Sequence, residues 1–164
     1  MTQPVTEPVK ATVITASNRA AAGAYADTGG PVIVEALTAL GFAVTGPVVV
    51  ADGQPVADAL AAALADGARV VLTTGGTGLT PTDLTPEMTR PFLDREVSGI
   101  AEAIRAYGAA HGVPTAALSR GLAGVAGRAL VVNLPGSRGG VKDGLAVLGP
   151  LLTHAVEQIV GSDH

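Results

Sequence analysis

The run Val70-Val71-Leu72-Thr73-Thr74 passes without a break into Gly75-Gly76-Thr77-Gly78, and Leu79-Thr80-Pro81-Thr82 leads on to Asp83-Leu84-Thr85-Pro86-Glu87. The apolar start reads as a buried strand. The glycines that follow let the backbone turn tightly and come close to a ligand with no Cβ in the way. Thr73, Thr74 and Thr77 add hydroxyl donors and acceptors. Thr85 then reads as a helix cap and Pro86 as the first helical residue. A strand, a glycine turn and a helix start, in that order, are what open α/β folds place around ligands.

The flanking segments repeat this alternation. Residues 1–9, with Pro4 and Pro8, read as a mobile tail, and residues 10–164 as one domain. Lys10 to Ala16 is a first strand, followed by a polar, glycine-containing loop from Ser17 to Gly30. Pro31 suits the first turn of a helix whose Val34, Leu37 and Leu40 recur at helical spacing, stopped by Gly41. Phe42 to Ala51 is a second strand, with Pro47 marking an edge or a bulge. Val56, Leu60 and Leu64 line a helix opened by Pro55 and closed by Asp66-Gly67. A short helix from Thr85 to about Leu93 and a longer one carrying Ile100, Ile104 and Tyr107 follow. Two short apolar runs flank Ala126-Gly127-Arg128, the second of them, Ala129 to Leu134, strand-like. Val141, Leu145, Leu148, Leu152, Val156 and Ile159 then mark a terminal helix that Pro150 should kink or divide. The fold class is therefore α/β: three layers, a mainly parallel sheet with helices on both faces and right-handed crossovers.

Composition narrows the function. The 164 residues carry a net charge of −4 and only two Tyr and two Phe, which argues against a nucleic-acid partner. No cysteine is present, so thiolate catalysis and cysteine zinc sites are excluded. His111, His154 and His164 stand at no mutual metal-ligand spacing. No apolar run reaches the roughly 20 residues a membrane span needs, and no signal segment is seen; a cytoplasmic location is expected.

In a parallel sheet the strand ends share one rim. Ser17-Asn18-Arg19, Asp52-Gly53, Thr74 to Gly78 and Asn133-Leu134-Pro135-Gly136-Ser137 would all lie there, either as one site or as ordinary turns. The glycine loop lacks the Gly-Lys-Ser/Thr of a P-loop and the third glycine of a dinucleotide fingerprint. By mechanism it is an anion or phosphate cradle. Asp52 and Asp83 are the two carboxylates at strand ends. Singly they read as a turn residue and a helix cap; beside a phosphate cradle they suit Mg²⁺, which takes one or two carboxylates plus substrate phosphates. Asp27, next to Thr28-Gly29-Gly30, makes a similar claim. Arg19, Arg138 and Lys142 read either as phosphate contacts or as ordinary solvated surface cations.

The motif from Thr73 to Gly78, followed by Asp83-Leu84-Thr85-Pro86-Glu87, resembles the molybdenum cofactor biosynthesis family of MogA and MoaB. Ser17-x-Arg19, Ser119-Arg120 with Ala123-Gly124, and Asn133 to Ser137 resemble further motifs of that family, and the likeness covers nearly the whole chain. Asn18 stands where many relatives carry Asp. The resemblance implies a molybdopterin-binding α/β domain, commonly trimeric. It implies adenylyl transfer from ATP, with Mg²⁺, to the terminal phosphate of molybdopterin, releasing pyrophosphate, and a possible hand-over to a molybdenum-insertion protein. Carried onto this sequence, it makes Asp52 and Asp83 the metal-holding catalytic pair. Ser17, Asp27, Thr74, Gly75, Gly76, Thr77, Gly78, Glu87, Ser119, Asn133, Pro135, Gly136 and Ser137 become the substrate and nucleotide contacts. A non-catalytic molybdopterin-binding module and a pure assembly role are the competing expectations.

Overall fold

The computed structural model describes residues 7–161. The tail expected over 1–9 therefore lies mostly outside the described residues, as do Ser162, Asp163 and His164. Val9 belongs to the folded body instead: its carbonyl accepts from Ala43 N at 2.9 Å and its side chain packs on the core.

Among the described residues six strands form one sheet in the order β2-β1-β3-β6-β5-β4. These are β1 (Lys10–Ala16), β2 (Ala43–Val50), β3 (Val70–Thr74), β4 (Arg95–Glu96), β5 (Ala123–Ala126) and β6 (Ala129–Leu134). β2, β1, β3 and β6 run parallel, whereas β5 and β4 run antiparallel to their neighbours. The helices are α1 (Asn18–Ala21), α2 (Gly29–Ala39), α3 (Gln54–Ala65), α4 (Thr85–Thr89), α5 (Ser98–Ala110), α6 (Arg138–Leu148) and α7 (Leu152–Ile159).

The period-2 side-chain alternation of the parallel strands splits the interior into two cores. Val13, Leu72 and Val132 lie in one row across β1, β3 and β6 and meet Ile33, Leu37, Ile104, Val141, Leu148 and Leu152 from α2, α5, α6 and α7. Ile14, Val71 and Val131 point the other way, onto Val56, Leu60 and Ala63 of α3. All five residues of β3 are buried, as its unbroken apolar start predicts for a strand covered on both faces. Each fully buried aliphatic side chain contributes about 1.5–3 kcal/mol relative to exposure.

Three sequence expectations are corrected. The loop from Ser17 to Gly30 contains the short helix α1, because Ser17 Oγ accepts from Ala20 N at 3.2 Å and caps it. The inward face of α2 is Gly29-Gly30-Ile33-Leu37 rather than Val34-Leu37-Leu40; Leu40 is 43% exposed. The two glycines let that helix start press against Thr74, Val141 and Pro47, which sets its rotation. Thr85 does not cap α4: the cap position is Leu84, with no side-chain hydrogen bond. Pro150 does divide the terminal helix, into α6 and α7, and β2 with its Gly46-Pro47 step lies at the sheet edge.

Candidate active site

The sheet reverses its order between β1 and β3, whose crossovers α2 and α3 lie on opposite faces, and a crevice opens there at the carboxyl ends of the strands. The ends of β1, β2, β3 and β6 all reach this rim. β5 runs the other way, so its beginning reaches the rim too, which brings Ser119 and Arg120 in.

Gly75 and Gly76 have φ of 90° and 68°, the left-handed region where only glycine is at ease. A Cβ on Gly75 would run into the Ala16 carbonyl oxygen, and one on Gly76 into Thr85 Oγ1. The loop is held from below by Gly75 N donating to Leu134 O at 3.2 Å and by Thr85 N donating to Gly76 O at 3.0 Å. The N–H groups of Gly76, Thr77 and Gly78 donate to no acceptor among the described residues. Three successive main-chain donors left without an acceptor on one turn are what an anion-binding nest requires. Ser137 caps α6, its Oγ accepting from Gly140 N at 3.0 Å. The positive end of that helix dipole thus opens on the same rim.

Arg120 holds the loop from outside. Its Nε donates to Gly78 O at 2.9 Å, its second guanidinium nitrogen to Asp83 O at 2.7 Å, and its first pairs with Glu87. Its own N–H donates to Thr77 O at 2.8 Å. Arg120 holds the Glu87 carboxyl below the ordinary range, chiefly by that hydrogen bond.

Three adjoining hollows share this rim. A cleft of about 320 Å³ is lined by Gly76, Thr77, Gly78, Asp83, Ser119, Pro135, Gly136 and Ser137 on its polar side, and by Ile104, Val113, Ala116 and Leu118 on its apolar side. A second hollow of about 270 Å³ brings Ser17, Asp52, Gly76 and Asp83 together with Arg19 and Thr82. A third, of about 150 Å³, holds Ser17, Asp27, Thr74, Gly75 and Gly136. A larger hollow of about 630 Å³ lies at the other end of the strands, lined by Lys10, Arg69 and Arg128, and contains none of the candidate residues.

Asp52 N donates to Asn18 Oδ1 at 2.9 Å, tying the ends of β1 and β2 together. Burial, then the negative charge of Asp83, pushes the Asp52 carboxyl above its ordinary value. Asp83 shapes its own turn: Thr80 N donates to its Oδ2 at 3.0 Å. Among the described residues no three His, Cys, Asp or Glu side chains cluster as a metal cage. Two carboxylates that line one hollow, close enough for Asp83 to act on Asp52, fit a hard cation that completes its shell from a phosphate ligand.

Asn133 and Glu87 take other places than expected. Asn133 is buried beneath the rim; Nδ2 donates to Thr73 Oγ1 and Thr89 Oγ1, and Oδ1 accepts from Leu122 N. Its amide is fully used inside the protein. Glu87 faces Arg120 and lines none of the three hollows. Asp27 lines the third hollow, yet its oxygens also accept from Thr15 Oγ1 and Gly30 N, fixing the start of α2. Thr74 Oγ1 donates to Pro135 O at 2.7 Å. Sequence reading missed the clamp by Arg120, 42 positions from Gly78, and the apolar wall of the cleft, since neither leaves a local pattern.

A family model described as "Probable molybdopterin binding domain" matches residues 12–154. The molybdenum cofactor biosynthesis bifunctional protein of Synechococcus elongatus is 41% identical over 157 residues, which cover 95% of this chain and 49% of that protein. The chain thus spans about half the length of that relative. The molybdopterin adenylyltransferase of Pyrococcus furiosus is 39% identical over 149 residues, 88% of each chain. The molybdopterin biosynthesis Mog protein of Mycobacterium ulcerans superposes with a TM-score of 0.88 at 51% identity, covering 92% of this chain and 99% of that one.

Proposed function

The chain belongs to the molybdopterin-binding domain family, and we propose that it is a molybdopterin adenylyltransferase of molybdenum cofactor biosynthesis. The terminal phosphate of molybdopterin attacks the α-phosphorus of ATP; the bond from that phosphorus to the α,β-bridging oxygen breaks, and the oxygen leaves with the β- and γ-phosphates as pyrophosphate. The observation that carries this reading is the nest of three undonated N–H groups, Gly76 to Gly78, beside Asp52 and Asp83. The adenylyltransferase name of the Pyrococcus furiosus relative supports it.

A phosphate nucleophile is already anionic at neutral pH, so the site needs positioning and charge neutralisation more than a strong base. The N–H groups of the loop hold a phosphate, with Thr77 beside them. The amino end of α6, at Pro135, Gly136 and Ser137, offers a second anion seat. Ile104, Val113, Ala116 and Leu118 give a flat heterocycle an apolar wall, and Ser119 a polar edge. Ser17, Asp27, Thr74 and Gly75 shape the adjoining hollow. Asp52 and Asp83 would hold Mg²⁺, which when bound neutralises charge on the phosphates. Arg120 keeps the loop in the shape that presents its donors.

The reading extends to a cytoplasmic homotrimer that hands its product to a molybdenum-insertion protein. No helix among the described residues is long and apolar enough to cross a membrane. Exposed Leu40, Val48, Leu151 and Val160 supply apolar surface for contacts between subunits.

Pyrophosphate release from molybdopterin, ATP and Mg²⁺ tests the activity, with wild type and Asp83→Asn side by side. The amide keeps an oxygen to accept from Thr80 N, so the fold should survive while turnover falls by about 100-fold or more. Full turnover by Asp83→Asn, or molybdopterin binding by wild type with no pyrophosphate released, would sink the assignment.

A further inference from the structure

We propose that Thr85 is a positioning residue for Asp52: when the loop closes on its ligand, the Thr85 hydroxyl donates to Asp52 Oδ1 and turns the other carboxylate oxygen toward the hollow. The inference rests on reading Asp52 as a metal-holding carboxylate.

Among the described residues, two buried side-chain polar atoms lack a partner, and they are Asp52 Oδ1 and Thr85 Oγ1. They are not scattered. A Cβ built on Gly76 would overlap Thr85 Oγ1 and lie 3.0 Å from Asp52 Oδ1. Both oxygens therefore border the small space that the missing Gly76 side chain leaves open, near one another yet not hydrogen-bonded. One is a hydroxyl that can donate and the other a carboxylate oxygen that can only accept while ionised. Neither presents surface to water, so solvent does not satisfy them, and a buried unsatisfied polar atom is costly to keep.

Thr85 has no other task that would explain its hydroxyl. It sits past the cap of α4, it is fully buried, and its Oγ1 joins no turn or helix bond. Its backbone is tied to the gripping loop instead, through Thr85 N donating to Gly76 O at 3.0 Å. A phosphate settling on the N–H groups of Gly76 to Gly78 thus acts on a segment joined directly to Thr85. Drawing the two oxygens together then forms an O–H···O⁻ hydrogen bond. Such charge-assisted bonds are about twice as strong as neutral ones.

The test compares Thr85→Val, which keeps the shape and loses the hydroxyl, with Thr85→Ser, which keeps the hydroxyl. Three readouts are taken: the ligand-free melting temperature, pyrophosphate release, and Mn²⁺ affinity by electron paramagnetic resonance with inorganic phosphate present. Thr85→Val should melt at or above wild type, because its hydroxyl has no partner to lose in the free protein. It should lose about tenfold or more in kcat with KM for ATP nearly unchanged, and bind Mn²⁺ about tenfold more weakly. Thr85→Ser should recover both to within about threefold. A clear fall in the melting temperature of Thr85→Val would show that the hydroxyl already has a structural partner, and overturns the proposal. Wild-type kcat and Mn²⁺ affinity in Thr85→Val, or equal losses in Thr85→Ser, overturn it as well. Should wild type release no pyrophosphate, adenylyl transfer fails as the activity. The Mn²⁺ ratio between the three proteins then decides Thr85 alone, and a wild type that binds no Mn²⁺ decides against it.

Discussion

Replacing Asn133 by Ala separates support of the site from contact with its ligands. The side chain is 3% exposed and makes three hydrogen bonds, at 2.9 Å to Thr73 Oγ1, 3.0 Å to Thr89 Oγ1 and 3.0 Å from Leu122 N. Each contributes about 1 kcal/mol net, and each partner left unsatisfied in a buried place costs more. Thr89 Oγ1 still donates to Thr85 O at 2.8 Å, so it suffers least. Thr73 Oγ1 has the most to lose, because it is buried and has no other hydrogen bond among the described residues. The loss works out at about 3–5 kcal/mol, a large share of the 5–15 kcal/mol that holds a domain folded. For a chain of this length that lowers the melting midpoint by roughly 6–20 °C. Urea unfolding followed by circular dichroism gives the stability, and pyrophosphate release well below the midpoint gives the activity. The expected result is a large fall in midpoint with KM values close to wild type. Wild-type stability with weakened substrate binding would refute the reasoning, since it would place the amide against ligand rather than inside the fold.

Gly75→Ala forces a left-handed φ of 90° on alanine and drives its methyl into the Ala16 carbonyl; about 2–5 kcal/mol should be lost by chemical denaturation. Gly127→Ala, with φ of 58° and open space around it, is the control and should lose only about 1–2 kcal/mol. Arg120→Lys keeps the charge but cannot span Gly78 O, Asp83 O and Glu87 together; KM for ATP should rise severalfold, and protease should cut the loop faster than in wild type. Asp52→Asn tests the raised carboxyl. The folded state holds that proton more tightly than the unfolded chain, so native stability falls as pH rises from the ordinary carboxylate value through the raised one. In metal-free buffer Asp52→Asn should therefore be more stable than wild type at neutral pH, with the advantage vanishing in acid; an advantage that grows in acid would reverse the assignment of sign.

What the sequence revealed depended on whether a residue's neighbours are local. Val70 to Thr74 is legible because a strand covered on both faces has no polar side to show. The division at Pro150 is legible because a missing N–H breaks a helix wherever it stands. The rotation of α2 was not, since Ile33 and Val34 are equally apolar and the choice is made by what Gly29 and Gly30 approach. β4 was not legible either: Arg95–Glu96 is a two-residue pairing with β5, too short for any period. At the site, glycine and aspartate positions announce themselves through turn chemistry. Asn133 and Glu87 sit among them in the sequence, yet their partners come from Thr73, Thr89, Leu122 and Arg120, and only the fold brings those close.

The burial of β3 has a consequence in time as well as in space. Thr73 and Thr74 are locked between β1 and β6, and their amides leave the ladder only when the whole sheet opens. The amides of Gly76 to Gly78, two residues on, have no partner among the described residues to break. In heavy water the slowest and the fastest protons of the domain should therefore sit almost side by side. A bound phosphate needs to slow only that short fast stretch to leave its imprint, so the occupancy of the site is readable from three amides against an internal clock supplied by their neighbours.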